Sequence, residues 1–279
     1  MPALILCLAC SLLSLRPLAI LHFESNGLLV SLKTRVLNSR PLPFTLDSGA
    51  SASVVDETVS HELGLRAAGS ITGRGAGAGG VRFAIYRDLD LTVGPVHWTA
   101  RRALGVSLAN VGTSQREAGL IGADFFFAFV VRIDYKRNEI CVYKPRTYRY
   151  AGRGSGLPIY FAHHRPFVNV QVKIVGRAPI WRLLLVDSGS EDMLDDPVIA
   201  ESPGAKTTRA GTGLGRALTA YYGPVQWARI GPYTLRGLQG TSGGVPLIGQ
   251  GVLRRFIVTF DYARRRIYLE QRTATPRGP

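Results

Sequence analysis

The sequence predicts a strand-rich protein made of two related halves, and three observations carry that expectation. Phe44-Thr45-Leu46 runs into Asp47-Ser48-Gly49-Ala50-Ser51, and Leu183-Leu184-Leu185-Val186 runs into Asp187-Ser188-Gly189-Ser190. Downstream, Leu120-Ile121-Gly122 stands as far from Asp134-Tyr135 as Leu247-Ile248-Gly249 stands from Asp261-Tyr262. Each Asp-Tyr pair then leads to one more apolar run, Ile140-Cys141-Val142-Tyr143 and Ile267-Tyr268-Leu269-Glu270. Self-similarity on this scale reads as an internal duplication. The halves differ in length between Asp-Ser-Gly and Leu-Ile-Gly, where loops absorb the difference. If the halves pack face to face, two carboxylates arrive at one place.

Composition allows this. The 279 residues suffice for two lobes with a core each, and 46% hydrophobic against 19% charged residues is a globular balance. Of the three cysteines, Cys7 and Cys10 lie in the N-terminal apolar stretch, which leaves Cys141 as a packed thiol and excludes a disulfide framework. The 34 Lys and Arg against 19 Asp and Glu give a net charge of +15. The arginines are scattered, at Arg101-Arg102, Arg146 to Arg153, Arg254-Arg255 and Arg264 to Arg266, without a basic helix or a zinc-finger spacing. A solvated basic surface is therefore the expectation, and no nucleic-acid partner.

Taken in order, Met1 to Leu21 opens with an apolar run from Ala3 to Leu15, broken by Arg16-Pro17. That run is shorter than the roughly 20 residues of a membrane span and suits an export signal or N-terminal anchor, although the usual positive start is missing; a hydrophobic first strand or helix of the fold is the alternative. The mature body is expected to begin near His22 to Asn26, in an exported or membrane-associated protein. Gly27 to Val36 reads as a strand, Asn38-Ser39-Arg40 as a turn, and Leu42 to Leu46 as the strand carrying Asp47. Phe167 to Val175, Gly176-Arg177 and Ile180 to Val186 repeat that arrangement before Asp187. Ser53 to Leu65 reads as a short helix ended by Gly64.

Gly75, Gly77 and Gly80 satisfy a G-x-G-x-x-G pattern within Thr72 to Gly80. They lead into the strand patterns Val81 to Tyr86 and Leu89 to Val93, whereas a dinucleotide site needs a helix there. A glycine-rich hairpin is the better reading, with Gly211-Thr212-Gly213-Leu214-Gly215 at the comparable place in the second half. Gly122 and Gly249 permit close backbone approach beside the Asp-Ser-Gly loops. Asp134-Tyr135 and Asp261-Tyr262 are expected as turns between strands that close each half. His22, His61, His97 and His163-His164 lack metal-ligand spacing, so no metal site is expected.

Together these residues resemble the retropepsin-like aspartic proteases, in the bacterial form with two lobes in one chain. The match runs from about Gly27 to Glu270. The resemblance implies an all-β fold of two related, barrel-like lobes with the active-site cleft between them. The lobes would span 22–146 and 159–272, with 1–21 as the N-terminal segment, 147–158 as linker and 273–279 as tail. It implies that Asp47 and Asp187 are the catalytic dyad, and that Ser48 and Ser188 exchange hydrogen bonds across the interface. Gly49 and Gly189 would permit the tight turns, and Gly75, Gly77, Gly79 and Gly80 would form a flap over a polypeptide substrate. No cofactor is implied, and a monomer would suffice.

The implied activity is aspartic endopeptidase hydrolysis, by a water activated between two carboxylates that cannot both ionise cheaply and so share a proton. Ser190-Glu191-Asp192 departs from Ala50-Ser51-Ala52, and Glu191 either disturbs the dyad or faces solvent. A catalytically silent, peptide-binding version of the fold is therefore an alternative. A basic β protein binding nucleic acid or an anionic surface is a more remote one.

Overall fold

The computed structural model describes residues 16–73, 75, 79–109, 116–210 and 218–271. The protein is all-β, with 53% strand and 9% helix, as the alternating patterns require. Alternation is clearest in Arg165–Lys173, where Pro166, Val168, Val170 and Val172 are buried and the residues between them are not. The N-terminal apolar run before Arg16, the glycines Gly211 to Gly215 and the 273–279 tail lie outside the described residues. Among the described residues no helix is long and apolar enough to cross a membrane.

Among the described residues three sheets form. The first half forms an eight-stranded sheet. Its spatial order is Glu24–Asn26, Leu29–Val36, Leu42–Leu46, Gly119–Ile121, Val54–Asp56, Val96–Val106, Val81–Val93 and Gly69–Gly73. Leu29–Val36 also pairs with Val81–Val93, which closes this sheet on itself. The second half forms a ten-stranded sheet around Arg165–Lys173, Ile180–Val186 and Leu247–Ile248. Among the described residues its ladder runs open, from Lys206–Ala210 at one edge to Tyr233–Leu235 at the other.

The third sheet joins the halves. Its six strands run Ala19–His22, Glu139–Tyr143, Val130–Asp134, Phe256–Asp261, Arg266–Gln271 and Ser155–Pro158. At its centre Val131 pairs with Phe260 and Ile133 with Val258. The two Asp-Tyr hairpins therefore do not close separate lobes; they pair with each other. Each is a turn, as expected: Asp134 Oδ1 accepts from Lys136 N at 3.1 Å, and Asp261 Oδ1 from Arg264 N at 3.1 Å.

Several boundaries shift for identifiable reasons. Ala19–His22 pairs with Glu139–Tyr143, so the folded body begins before His22. Ser155–Pro158 pairs with Arg266–Gln271, so the end of the 147–158 stretch is sheet and not free linker. The segment from Ser53 starts as a strand, Val54–Asp56, because two β-branched valines meet partners on both sides. The helix is only Glu57–Glu62, and the Asp56 side chain caps it by accepting from Thr58 N. Gly27 takes a positive φ of 61° and turns the chain, so its strand begins at Leu29.

An aromatic cluster fills the space beneath the joining sheet. Phe126 of the short helix Ala123–Ala128 is fully buried, 5.1 Å from the Phe260 ring and stacked on Tyr262 at 5.3 Å. One ring from the first half thus packs on two from the second. Phe126→Ala should destabilise the protein by about 3–5 kcal/mol, the usual result of deleting a buried phenyl group. Denaturant unfolding measures this, and the two halves should still unfold in one transition because they share the sheet.

Candidate active site

The two Asp-Ser-Gly loops meet, and their strand support and serine bonding repeat in both halves. Leu42–Leu46 pairs in parallel with Gly119–Ile121, and Ile180–Val186 with Leu247–Ile248. Each ladder ends at the carboxylate: Asp47 N donates to Ile121 O and Asp187 N to Ile248 O, both at 2.9 Å. The glycine after each Leu-Ile pair faces the neighbouring loop. A Cβ on Gly122 would collide with the Ala52 backbone, and one on Gly249 with the carbonyls of Ser190 and Asp192.

Ser48 and Ser188 are wholly buried and bind reciprocally. Ser48 N donates to Ser188 Oγ at 2.9 Å, and Ser188 N donates to Ser48 Oγ at 3.0 Å. Each hydroxyl then donates across the interface, Ser48 Oγ to Val186 O at 2.7 Å and Ser188 Oγ to Leu46 O at 2.8 Å. Both hydroxyls therefore accept one bond and donate one, with no buried polar group left over. This four-bond lock spans the two halves.

The lock brings Asp47 and Asp187 side by side. A Cβ on Gly49 would stand 2.5 Å from the Asp187 carboxyl carbon, and one on Gly189 would likewise overlap the Asp47 carboxylate. Only glycine leaves room for the opposite acid. Asp47 Oδ1 accepts from Gly49 N at 2.8 Å and Ala50 N at 3.0 Å; Asp187 Oδ1 accepts from Gly189 N at 2.8 Å. Loss of water raises both carboxyls above the ordinary aspartate range. Asp187 is raised the more, because the Asp47 charge adds to its burial.

The glycine-rich hairpin is present, with Gly69–Gly73 paired to Val81–Val93. Gly75, Gly79 and Gly80 lie at its tip, Gly79 at a φ of 90°, while Gly77 lies outside the described residues. Among the described residues no hydrogen bond joins this tip to the dyad loops. The second-half counterpart pairs Lys206–Ala210 with Leu218–Val225.

Glu191 is exposed, the second of the two alternatives, and it also has a partner in the first half. Its Oε1 accepts from Leu28 N at 2.6 Å, at the Gly27-Leu28 turn of the other half. Leu28 O in turn accepts from Arg254 Nη1 at 2.7 Å. One residue of the first half, Leu28, is thus held through both its N–H and its C=O by charged side chains of the second.

Three residues belong to the site without a motif to announce them. Asp124 accepts from Ser53 N, Ser53 Oγ and Trp98 Nε1, at 2.5 to 2.8 Å, and so fixes the chain after the first loop. Tyr262 is buried, and its phenol is held well above its ordinary pKa by that burial and by the nearby charges of Asp47 and Asp187. The third is Arg165, within electrostatic reach of both carboxylates. The Asp261-Tyr262 pair was visible as a repeat, but the return of Tyr262 toward the dyad is a tertiary fact.

Glu191→Ser should remove the Leu28 tie and lower stability by about 1 kcal/mol, as for a partly exposed charged hydrogen bond. The pH dependence of peptide cleavage should keep its position. Denaturant unfolding and a pH–rate profile check the two halves of this statement. A profile moved toward acid would mean that Glu191 acts on the dyad.

The aspartyl protease family profile matches residues 32–125, which include the first Asp-Ser-Gly loop, its hairpin and its Leu-Ile-Gly strand. No curated protein matches the chain. Residues 32–125 of the chain are thus similar to the aspartyl protease family.

Proposed function

We propose that this protein is an aspartic endopeptidase whose single active site is assembled from both halves of one chain. The observation that carries the reading is the reciprocal Ser48–Ser188 lock, which sets two carboxylates together at the junction of the halves. The shared joining sheet and the repeated bonding of the two loops support a duplicated, monomeric design. The family match over residues 32–125 supports peptidase chemistry in general.

In this reading Asp47 and Asp187 share one proton, because ionising both at close range in a desolvated site is costly. The ionised partner takes a proton from a water between them as that water attacks the scissile carbonyl. The protonated partner donates to the carbonyl oxygen, and protons return to the leaving amine as the tetrahedral intermediate collapses. The backbone N–H groups of Gly49, Ala50 and Gly189 orient the carboxylates, so little rearrangement is needed at the moment of reaction. The glycine-rich hairpin would cover a bound polypeptide, and the N-terminal segment before Arg16 would direct export.

The test is cleavage of a denatured protein between pH 3 and 7. Activity should be highest in the acid range, fall as the second carboxylate ionises, and be blocked by a statine-type inhibitor. Asp47→Asn and Asp187→Asn should each abolish it, and mixing the two variants should not restore it. Recovery on mixing would place the site between chains. Binding of the inhibitor without cleavage would favour the silent, peptide-binding alternative.

Stability supplies a second check with a definite sign. Both carboxyls have folded pKa values above their unfolded ones. Their favourable contribution is thus fully present below the unfolded pKa and is lost as pH rises through the folded values. Asp187→Asn cannot ionise, so its melting temperature should exceed that of the parent protein at pH 7 by more than it does at pH 3.

A further inference from the structure

Arg165 opens the strand Arg165–Lys173, which pairs antiparallel with Ile180–Val186 in the register Phe167 to Leu185. Continuing that register by one pleat sets Arg165 opposite Asp187. Residues directly opposite in an antiparallel pair project to the same face, with Cβ atoms about 4.5–5.5 Å apart. The Arg165 side chain therefore leaves the strand on the face that carries the dyad carboxylate. Its guanidinium lies 5.9 Å from the centre of the Phe167 ring, which steadies it through cation–π contact.

The corresponding position in the first half is Leu29, because Ser31 pairs with Thr45 and the same continuation sets Leu29 opposite Asp47. The cation is thus present on one side of the dyad only. It is also unspent. Among the described residues Arg165 forms no salt bridge and its guanidinium donates no hydrogen bond, although it is only half-buried and Arg116, Arg182 and Arg264 each hold a buried carboxylate. The turn before it is His163-His164, both exposed and both at positive φ, of 50° and 65°. This end of the site is basic, while the matching turn at the other end, Gly27-Leu28, is occupied by Glu191.

A guanidinium with five donors and no acceptor is suited to a planar carboxylate. Dyad protonation does not supply a partner, since Asp47 and Asp187 are already held by backbone N–H groups and by each other. We propose that Arg165 is a specificity-determining residue that receives the side-chain carboxylate of a Glu or Asp in the substrate polypeptide, next to the scissile bond. This rests on the endopeptidase reading above, and it assigns to one side of the cleft a preference for acidic sequence.

The experiment uses statine-containing peptides blocked at both ends, with Glu or Gln placed in turn at each position flanking the statine. Affinities for the parent protein, Arg165→Leu and Arg165→Lys are measured by calorimetry. At one flanking position the parent protein should bind the Glu peptide about tenfold more tightly than the Gln peptide, the scale of one charge-assisted contact. That ratio should fall to about one in Arg165→Leu, persist in part in Arg165→Lys, and shrink with added salt. Equal affinities at every position, or a ratio that survives in Arg165→Leu, would overturn the assignment. Cleavage of a neutral peptide by the parent protein, run alongside, reports separately on the endopeptidase reading. Cleavage without Glu–Gln discrimination would sink only the role of Arg165.

Discussion

Everything at the centre of this protein depends on two buried serines, each bonded to the backbone of the other's loop. Ser48 and Ser188 each accept from the other's backbone N–H and donate to the carbonyl preceding the other's aspartate. Each bond adds about 1 kcal/mol net, but leaving one unmade would strand a buried polar group at a cost of about 1–3 kcal/mol. The halves are thereby held in one register, with no slack between the loops. Gly49 and Gly189 follow from that closeness, because the opposite carboxylate occupies the space a side chain would need.

The rest of the fold can be read as support for that junction. The parallel Leu-Ile pairs hold the strands that deliver Asp47 and Asp187, and the six-stranded sheet ties the two supports together. Phe126, Phe260 and Tyr262 fill the space between them. The outer tie from Glu191 and Arg254 to Leu28 adds a second point of contact between the halves, away from the serines. Two acids forced together in this frame are both harder to ionise than free aspartate, and the proposed hydrolysis would use that property.

Much of this was legible in the sequence, and what was not has a physical reason. Leu42 to Leu46 and Ile180 to Val186 were readable to the residue, since an apolar run ended by Asp-Ser-Gly has clear limits. The short helix was overextended because Val54 and Val55 are compatible with either structure until their sheet partners are known. Pairing of the two Asp-Tyr hairpins with each other could not be read, because a strand's pattern does not name its neighbour. Glu191 was placed near the dyad by spacing alone; its actual partner, Leu28, lies in the other half. Arg165 carried no motif, and its relation to Asp187 follows only from continuing the Phe167–Leu185 register.

The central claim is that the serine lock makes Asp47 and Asp187 one titrating unit. Carboxyl-carbon NMR of the aspartates, assigned by difference with Asp47→Asn and Asp187→Asn, measures this directly across an acid-to-neutral titration. Both resonances should move together in two separated steps, above the range of ordinary aspartates, and removing either acid should collapse the other to a single step. Two independent single-step curves at ordinary aspartate values, unchanged by loss of the partner, would contradict it.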